Sequence, residues 1–176
     1  MIADAKSARA NEAERAQRIT TILVGVDGSP ESDRAAAFAT KLAIQLDAEI
    51  VAAHAVGLLD VWPEHPGEIT AHNSHEHVIA LMEGPWTETI RRLGIRPRIA
   101  LLDGPPGRVL LELADQIDAD LIIVGSRGAG QAELVALGDT STKLAHRSAR
   151  PIVIVPPPRA GDDTAPIESS QFFTDR

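Results

Sequence analysis

The residues best suited to chemistry stand in one stretch. Gly125-Ser126-Arg127-Gly128 is followed by nine residues, Ala129 to Leu137, and then by Gly138-Asp139-Thr140-Ser141. Glycines let backbone approach a ligand closely or take positive φ. The segment after Gly138 carries Lys143, His146 and Arg147 and reads as a helix that Pro151 ends. A glycine loop facing a helix N-terminus commonly holds phosphate, because free N–H groups and the helix dipole both favour an anion. Arg127 and Lys143 could offset phosphate charge, with Arg108 a more remote candidate. Solvated surface is the commoner role of such cations. Asp27, in Asp27-Gly28-Ser29, has the chemistry of a turn former. Ser141 could donate to a phosphate or serve the first turn of its helix.

Other constellations point away from catalysis. Ser126 sits in Gly-Ser-Arg-Gly rather than in a G-x-S-x-G elbow, and the G-x-x-x-x-G-K-[ST] phosphate loop is absent. His65, His72, His75 and His77 cluster beside Glu64 and Glu76. On a helix His72 and His75 share a face and His77 does not. With no H-E-x-x-H and no cysteine, a solvated segment is expected there, not a metal site. The chain reads as a binder, not an enzyme.

The elements that must position the glycine stretch alternate along the chain. Largely apolar runs without alternation at Thr20–Val26, Glu49–Val56, Leu121–Val124 and Ile152–Val155 read as strands buried on both faces. Ile95–Leu102 reads as another, with Pro97 marking its start or an edge position. Ser29 is a candidate N-cap with Pro30 at the first helical position; that helix runs to Leu46 and turns Ala35, Phe38, Ala39, Leu42, Ala43 and Leu46 inward. A helix starting near Asn73 and reaching about Leu93 should break at Gly84-Pro85. A further helix, Arg108–Ile117, turns Val109, Leu110, Leu113 and Ile117 inward. This order predicts an α/β fold with one doubly wound parallel sheet and helices on both faces. In such sheets ligands lie beyond the carboxyl ends of strands where the order reverses. Asp27 and Gly125 stand at two such ends.

Composition bounds the rest. The chain has 176 residues, 44% hydrophobic but only 3% aromatic, so its core must be aliphatic. A net charge of −8 excludes an extended nucleic-acid surface. No apolar run is long enough for a membrane span or a signal peptide, so a cytoplasmic protein is expected. Residues 1–18 read as a helical or frayed extension, 19–156 as the domain, and 157–176 as a disordered or docked tail.

Val24-Gly25-Val26-Asp27-Gly28-Ser29, the Gly-x-x-Gly-nine-residue-Gly spacing and the final helix and strand together resemble the universal stress protein family. The resemblance covers about Ile19 to Pro156. It implies a five-stranded sheet in the order 3-2-1-4-5, a homodimer often formed through the last strand, and a crevice for ATP or AMP between the first and fourth strands. It also implies roles for particular residues. Asp27 would meet ribose hydroxyls, Ala53 and Val124 would pack near the base, and Gly125, Arg127, Gly128, Gly138, Asp139, Thr140 and Ser141 would surround the phosphates.

Asp139 departs from the family pattern, which places Ser or Thr after the third glycine. A carboxylate about 4 Å from a phosphate costs on the order of 4 kcal/mol at an effective dielectric of 20, roughly a thousandfold in affinity. Bound Mg²⁺ could bridge the two anions, or Asp139 could cap its own helix. Two readings follow from the resemblance and this departure. One is a regulatory nucleotide-binding domain of the stress response. The other is a nucleotide-free dimeric scaffold that engages an unidentified protein partner. A hydrolase using Mg²⁺ and Asp139 ranks behind both.

Overall fold

A computed structural model describes residues 18–57, 71–128 and 137–158. The apolar runs form five strands: β1 (Thr21–Gly25), β2 (Glu49–Val56), β3 (Arg98–Asp103), β4 (Leu121–Gly125) and β5 (Ile152–Val155). All pairings are parallel and the order is β3-β2-β1-β4-β5. The helices between them are α1 (Pro30–Leu46), α2 (Ala71–Glu83), α3 (Glu88–Arg92), α4 (Pro106–Gln116) and α5 (Asp139–Arg147).

Alternation along each strand sends side chains to opposite faces, and both faces are covered. Ile22, Val24 and Ile123 join Ala35, Ala39 and Ala43 of α1, Met82 of α2 and Ile90 of α3 in one core cluster. Leu23, Ile122 and Val124 join Leu110 and Leu113 of α4 and Leu144 of α5 in the other. This is why the strands lack a polar alternate.

Local sequence sets the helix ends. Ser29 Oγ accepts from Ser32 N–H at 3.1 Å, Pro30 occupies the first turn, and Asp47 closes α1 in the left-handed region at φ 55°. The inward face of α1 is narrower than its pattern suggests. Ala35, Ala36, Ala39, Thr40 and Ala43 are buried, whereas Phe38 is 43% exposed. Small side chains bring this helix close to the sheet, and a ring at position 38 fits only at its flank.

The break at Gly84-Pro85 is present, as a single 3₁₀ turn over Pro85–Thr87 between α2 and α3. β3 starts later than the apolar pattern does. Ile95 N–H bonds back to Ile90 O at 3.3 Å, and Pro97 has no N–H to give to a ladder. β3 is also an edge strand, so Pro97 meets both expectations placed on it. At the start of the central strands, Asp120 accepts from Thr20 N–H at 2.7 Å and Thr21 N–H at 3.0 Å, fixing the start of β1. The extension at residues 1–17, the tail from 159 onward, His65 and Gly130 lie outside the described residues. No helix among the described residues is long and apolar enough to cross a membrane.

Candidate functional site

β1 and β4 are neighbours whose following helices pack on opposite faces, so a crevice opens beyond their carboxyl ends. It holds a cavity of about 460 Å³, within the range of small-molecule sites. The ten residues that the family resemblance assigns to the site all line it: Asp27, Ala53, Val124, Gly125, Arg127, Gly128, Gly138, Asp139, Thr140 and Ser141.

The β1 side is a turn built on its own hydrogen bonds. Asp27 Oδ1 accepts from Ser29 N–H at 3.0 Å and from Ser29 Oγ at 2.6 Å. Asp27 N–H in turn donates to Ser32 Oγ at 3.3 Å. The other carboxylate oxygen faces the glycine loop, because a Cβ on Gly128 would stand 2.6 Å from Asp27 Oδ2. Asp27 is thus a turn former and a cavity wall together. Gly125 is required by packing, since its Cβ would meet the Glu31 backbone carbon at 2.9 Å. Arg127 is pulled inward, its side chain only 17% exposed and 3.7 Å from Glu31. Surface solvation is therefore not its role.

The opposite wall is the start of α5. Gly138 is the N-cap and makes no side-chain cap bond. Its own N–H donates to Ser126 O at 2.7 Å, and Thr142 N–H is the donor to Gly138 O at 2.9 Å. The N–H groups of Asp139, Thr140 and Ser141 therefore lie in the first turn, where no intrahelical acceptor exists. They carry the positive end of the helix dipole on the cavity wall.

Two side chains in this turn behave differently from expectation. Asp139 does not cap the helix: it is the first helical residue, and its carboxylate pairs with Lys143 Nζ at 2.6 Å. Ser141 Oγ does not cap the helix; it is buried and donates to Gly125 O at 2.8 Å, tying α5 to the end of β4. Lys143 stands outside the cavity lining, its stem against Gly107, where a Cβ would lie 2.8 Å from Lys143 Cβ. Arg108 also lies outside the lining and pairs with Glu112 at 3.1 Å on the surface.

The cavity has a second end that the glycine spacing does not announce. His54, Val78 and Trp86 line it, together with Pro106 and Leu110. His54 Nδ1 donates to Val26 O at 2.7 Å, and its ring lies 4.8 Å from the Trp86 ring. A signal did exist for each: His54 interrupts an otherwise apolar strand, and Trp86 is one of two tryptophans in the chain. No metal cluster forms from the histidines among the described residues. His75 instead bonds Asp103 at 2.7 Å.

Residues 18–156 match the family model described as the universal stress protein family. A universal stress protein of Mycolicibacterium smegmatis is 32% identical over 84% of this chain and 50% of its own length. The chain thus spans half of that relative. A universal stress protein of Thermus aquaticus is 31% identical over 77% of this chain and 97% of its own. Among solved structures, a universal stress protein in complex with cAMP is 27% identical, with a TM-score of 0.58, covering 77% of this chain and 95% of its own.

Proposed function

The chain belongs to the universal stress protein family, and from that premise we propose that it is a regulatory domain that binds an adenine nucleotide carrying a single phosphate. The observation that carries this is the meeting of the first turn of α5 with Gly125 and Gly128 around one cavity. The first-turn N–H groups of α5 adjoin the glycine loop on the cavity wall, and a helix N-terminus favours a phosphate there. Asp27 at the strand end can accept from ribose hydroxyls, with Ala53 and Val124 as apolar surface for the base.

Asp139 sets the preference for few phosphates. Its carboxylate stands at the same wall and disfavours each added negative charge. Lys143 already pairs with it, so Mg²⁺ is not needed to neutralise it. The related structure solved with cAMP, a nucleotide with one phosphate, supports this choice. Occupancy would bias association with a second copy of the chain, through the edge strand β5, or with another protein. The output in the stress response is then regulation, with no product released.

Calorimetric titration of the full chain with AMP and ATP, each with and without Mg²⁺, tests this. Micromolar AMP binding independent of Mg²⁺, with weaker ATP binding, is expected. Absence of binding to both leaves the nucleotide-free scaffold as the better reading.

A further inference from the structure

Three charged side chains meet behind the glycine loop. Glu31 stands in the first turn of α1, and Gly125 lets that turn close on the end of β4, since a Cβ there would lie 2.9 Å from Glu31 Cβ. Arg127 Nη2 is 3.7 Å from Glu31 Oε1, and Arg34 Nη2 is 2.9 Å from the same oxygen. The Glu31 side chain is only 19% exposed. A carboxylate withdrawn that far from water needs a cation. This one has two, and the group carries one net positive charge at the wall of the cavity that Arg127 lines.

The two contacts differ in kind. At 3.7 Å the Arg127 contact is longer than a hydrogen bond and is held by charge alone. The Arg34 contact is short, yet Arg34 Nε and Nη2 are both buried and neither has a hydrogen-bond acceptor among the described residues. Nε and Nη2 form the side of a guanidinium that can grip a carboxylate through two parallel bonds. Arg34 therefore lies against Glu31, one helical turn away, with the fork that fits it unused. Buried donors of a charged group left in that condition carry a free-energy cost that an acceptor would relieve.

We propose that these residues form a charge exchange serving the phosphate end of the cavity, with Glu31 and Arg34 as positioning residues and Arg127 as the cation they release. Without phosphate, Glu31 keeps Arg127 at the wall. When a phosphate enters, Arg127 turns to it, and the Glu31 carboxylate turns into the Nε/Nη2 fork of Arg34. No carboxylate is left unpaired, and two orphan donors gain their acceptor. The exchange rests on the nucleotide reading above and adds two residues behind the lining, neither of them in the glycine spacing.

Calorimetry of AMP and of adenosine, which lacks the phosphate, tests this on the full chain and its E31Q, R34A and E31Q/R34A variants. R34A leaves Glu31 to Arg127 alone and should weaken AMP by about tenfold, the scale of one hydrogen-bonded charge pair lost. E31Q removes the competitor for Arg127 and should strengthen AMP by about threefold or more. In the E31Q background R34A should change AMP affinity by less than about twofold, because Arg34 acts through Glu31. Adenosine should bind alike to all four. Equal AMP losses from R34A in both backgrounds, the mark of a plain field from Arg34, overturn the exchange, as do parallel changes in adenosine. A second measurement needs no variant to fold: AMP titrated into ¹⁵N-labelled wild-type chain should shift the Nε–H signals of Arg34 and Arg127 together. A shift of Arg127 with Arg34 unmoved overturns the exchange while the nucleotide reading stands. A wild-type chain that binds no AMP overturns both.

Discussion

Asp139→Ser should raise ATP affinity, by an amount that the exposure of the carboxylate and its pairing with Lys143 keep small. Two unit charges about 4 Å apart interact by about 4 kcal/mol at an effective dielectric of 20, and by about 1 kcal/mol in water. The Asp139 side chain is 65% exposed and pairs with Lys143 at 2.6 Å. Exposure moves the effective dielectric toward water, and the ammonium cancels part of the remaining field. The lower figure therefore governs, equivalent to about fivefold in the dissociation constant. ATP should gain about five- to tenfold on removal of the carboxylate, and AMP less, because it places less charge near the wall. Lys143→Ala should act in the opposite direction, since it leaves the carboxylate unpaired. Raising salt from 0.05 to about 0.5 M should shrink the gain, as the Debye length falls to a few ångströms. Calorimetry of the variants under matched ionic strength reads all of this. An Asp139→Ser gain near a thousandfold would refute the damping by exposure and Lys143. No change for either nucleotide would refute Asp139 as the element that limits phosphate number.

Two other outcomes bear on the scaffold. Gly125→Ala would drive a methyl against the backbone of Glu31, whose carbonyl carbon lies 2.9 Å from the ideal Cβ position and whose oxygen lies 3.0 Å away. Helix backbone cannot rotate aside, so a loss of about 1–3 kcal/mol is expected, seen as a melting temperature several degrees lower; an unchanged melting curve would contradict the packing. At the opposite end of the sheet, burial alone would raise the pKa of Asp120, but the donors of Thr20 and Thr21 and the nearby Arg150 outweigh it and lower the value. A carboxylate lowered on folding stabilises above its unfolded pKa, about 3.9, and that contribution disappears as pH falls through the folded value. The stability gap between the wild-type chain and Asp120→Asn, measured by urea unfolding, should be full near pH 6 and shrink below pH 4. A gap that stays constant across this range would contradict the assignment.

How far the sequence carried these conclusions depended on where each signal is written. The parallel sheet was legible because buried strands are apolar on both faces and alternate with helices at short spacing, whereas its order followed from the family resemblance. Gly125, Gly128 and Gly138 were legible because their role lies in the backbone, where residue type and spacing carry the message. Side-chain roles were less so. The pattern gives Asp139 and Ser141 as first-turn residues but not that Lys143 claims one and Gly125 O the other. Phe38 was misplaced because period alone does not report how closely a helix approaches its sheet. His54 and Trp86 stayed hidden for a different reason. They meet through tertiary structure, 32 positions apart in the chain, beside Gly28, whose need for bare backbone is visible only once the indole is seated on it.

The central claim is that a nucleotide phosphate sits between the glycine loop and the start of α5. Titrating AMP into ¹⁵N-labelled full chain and following amide shifts tests it most directly. The account predicts saturable shifts concentrated at Gly125–Gly128 and Asp139–Ser141, with Asp27 following and the Thr20–Asp120 end of the sheet unmoved. Shifts scattered over the surface, or none at millimolar AMP, would contradict it.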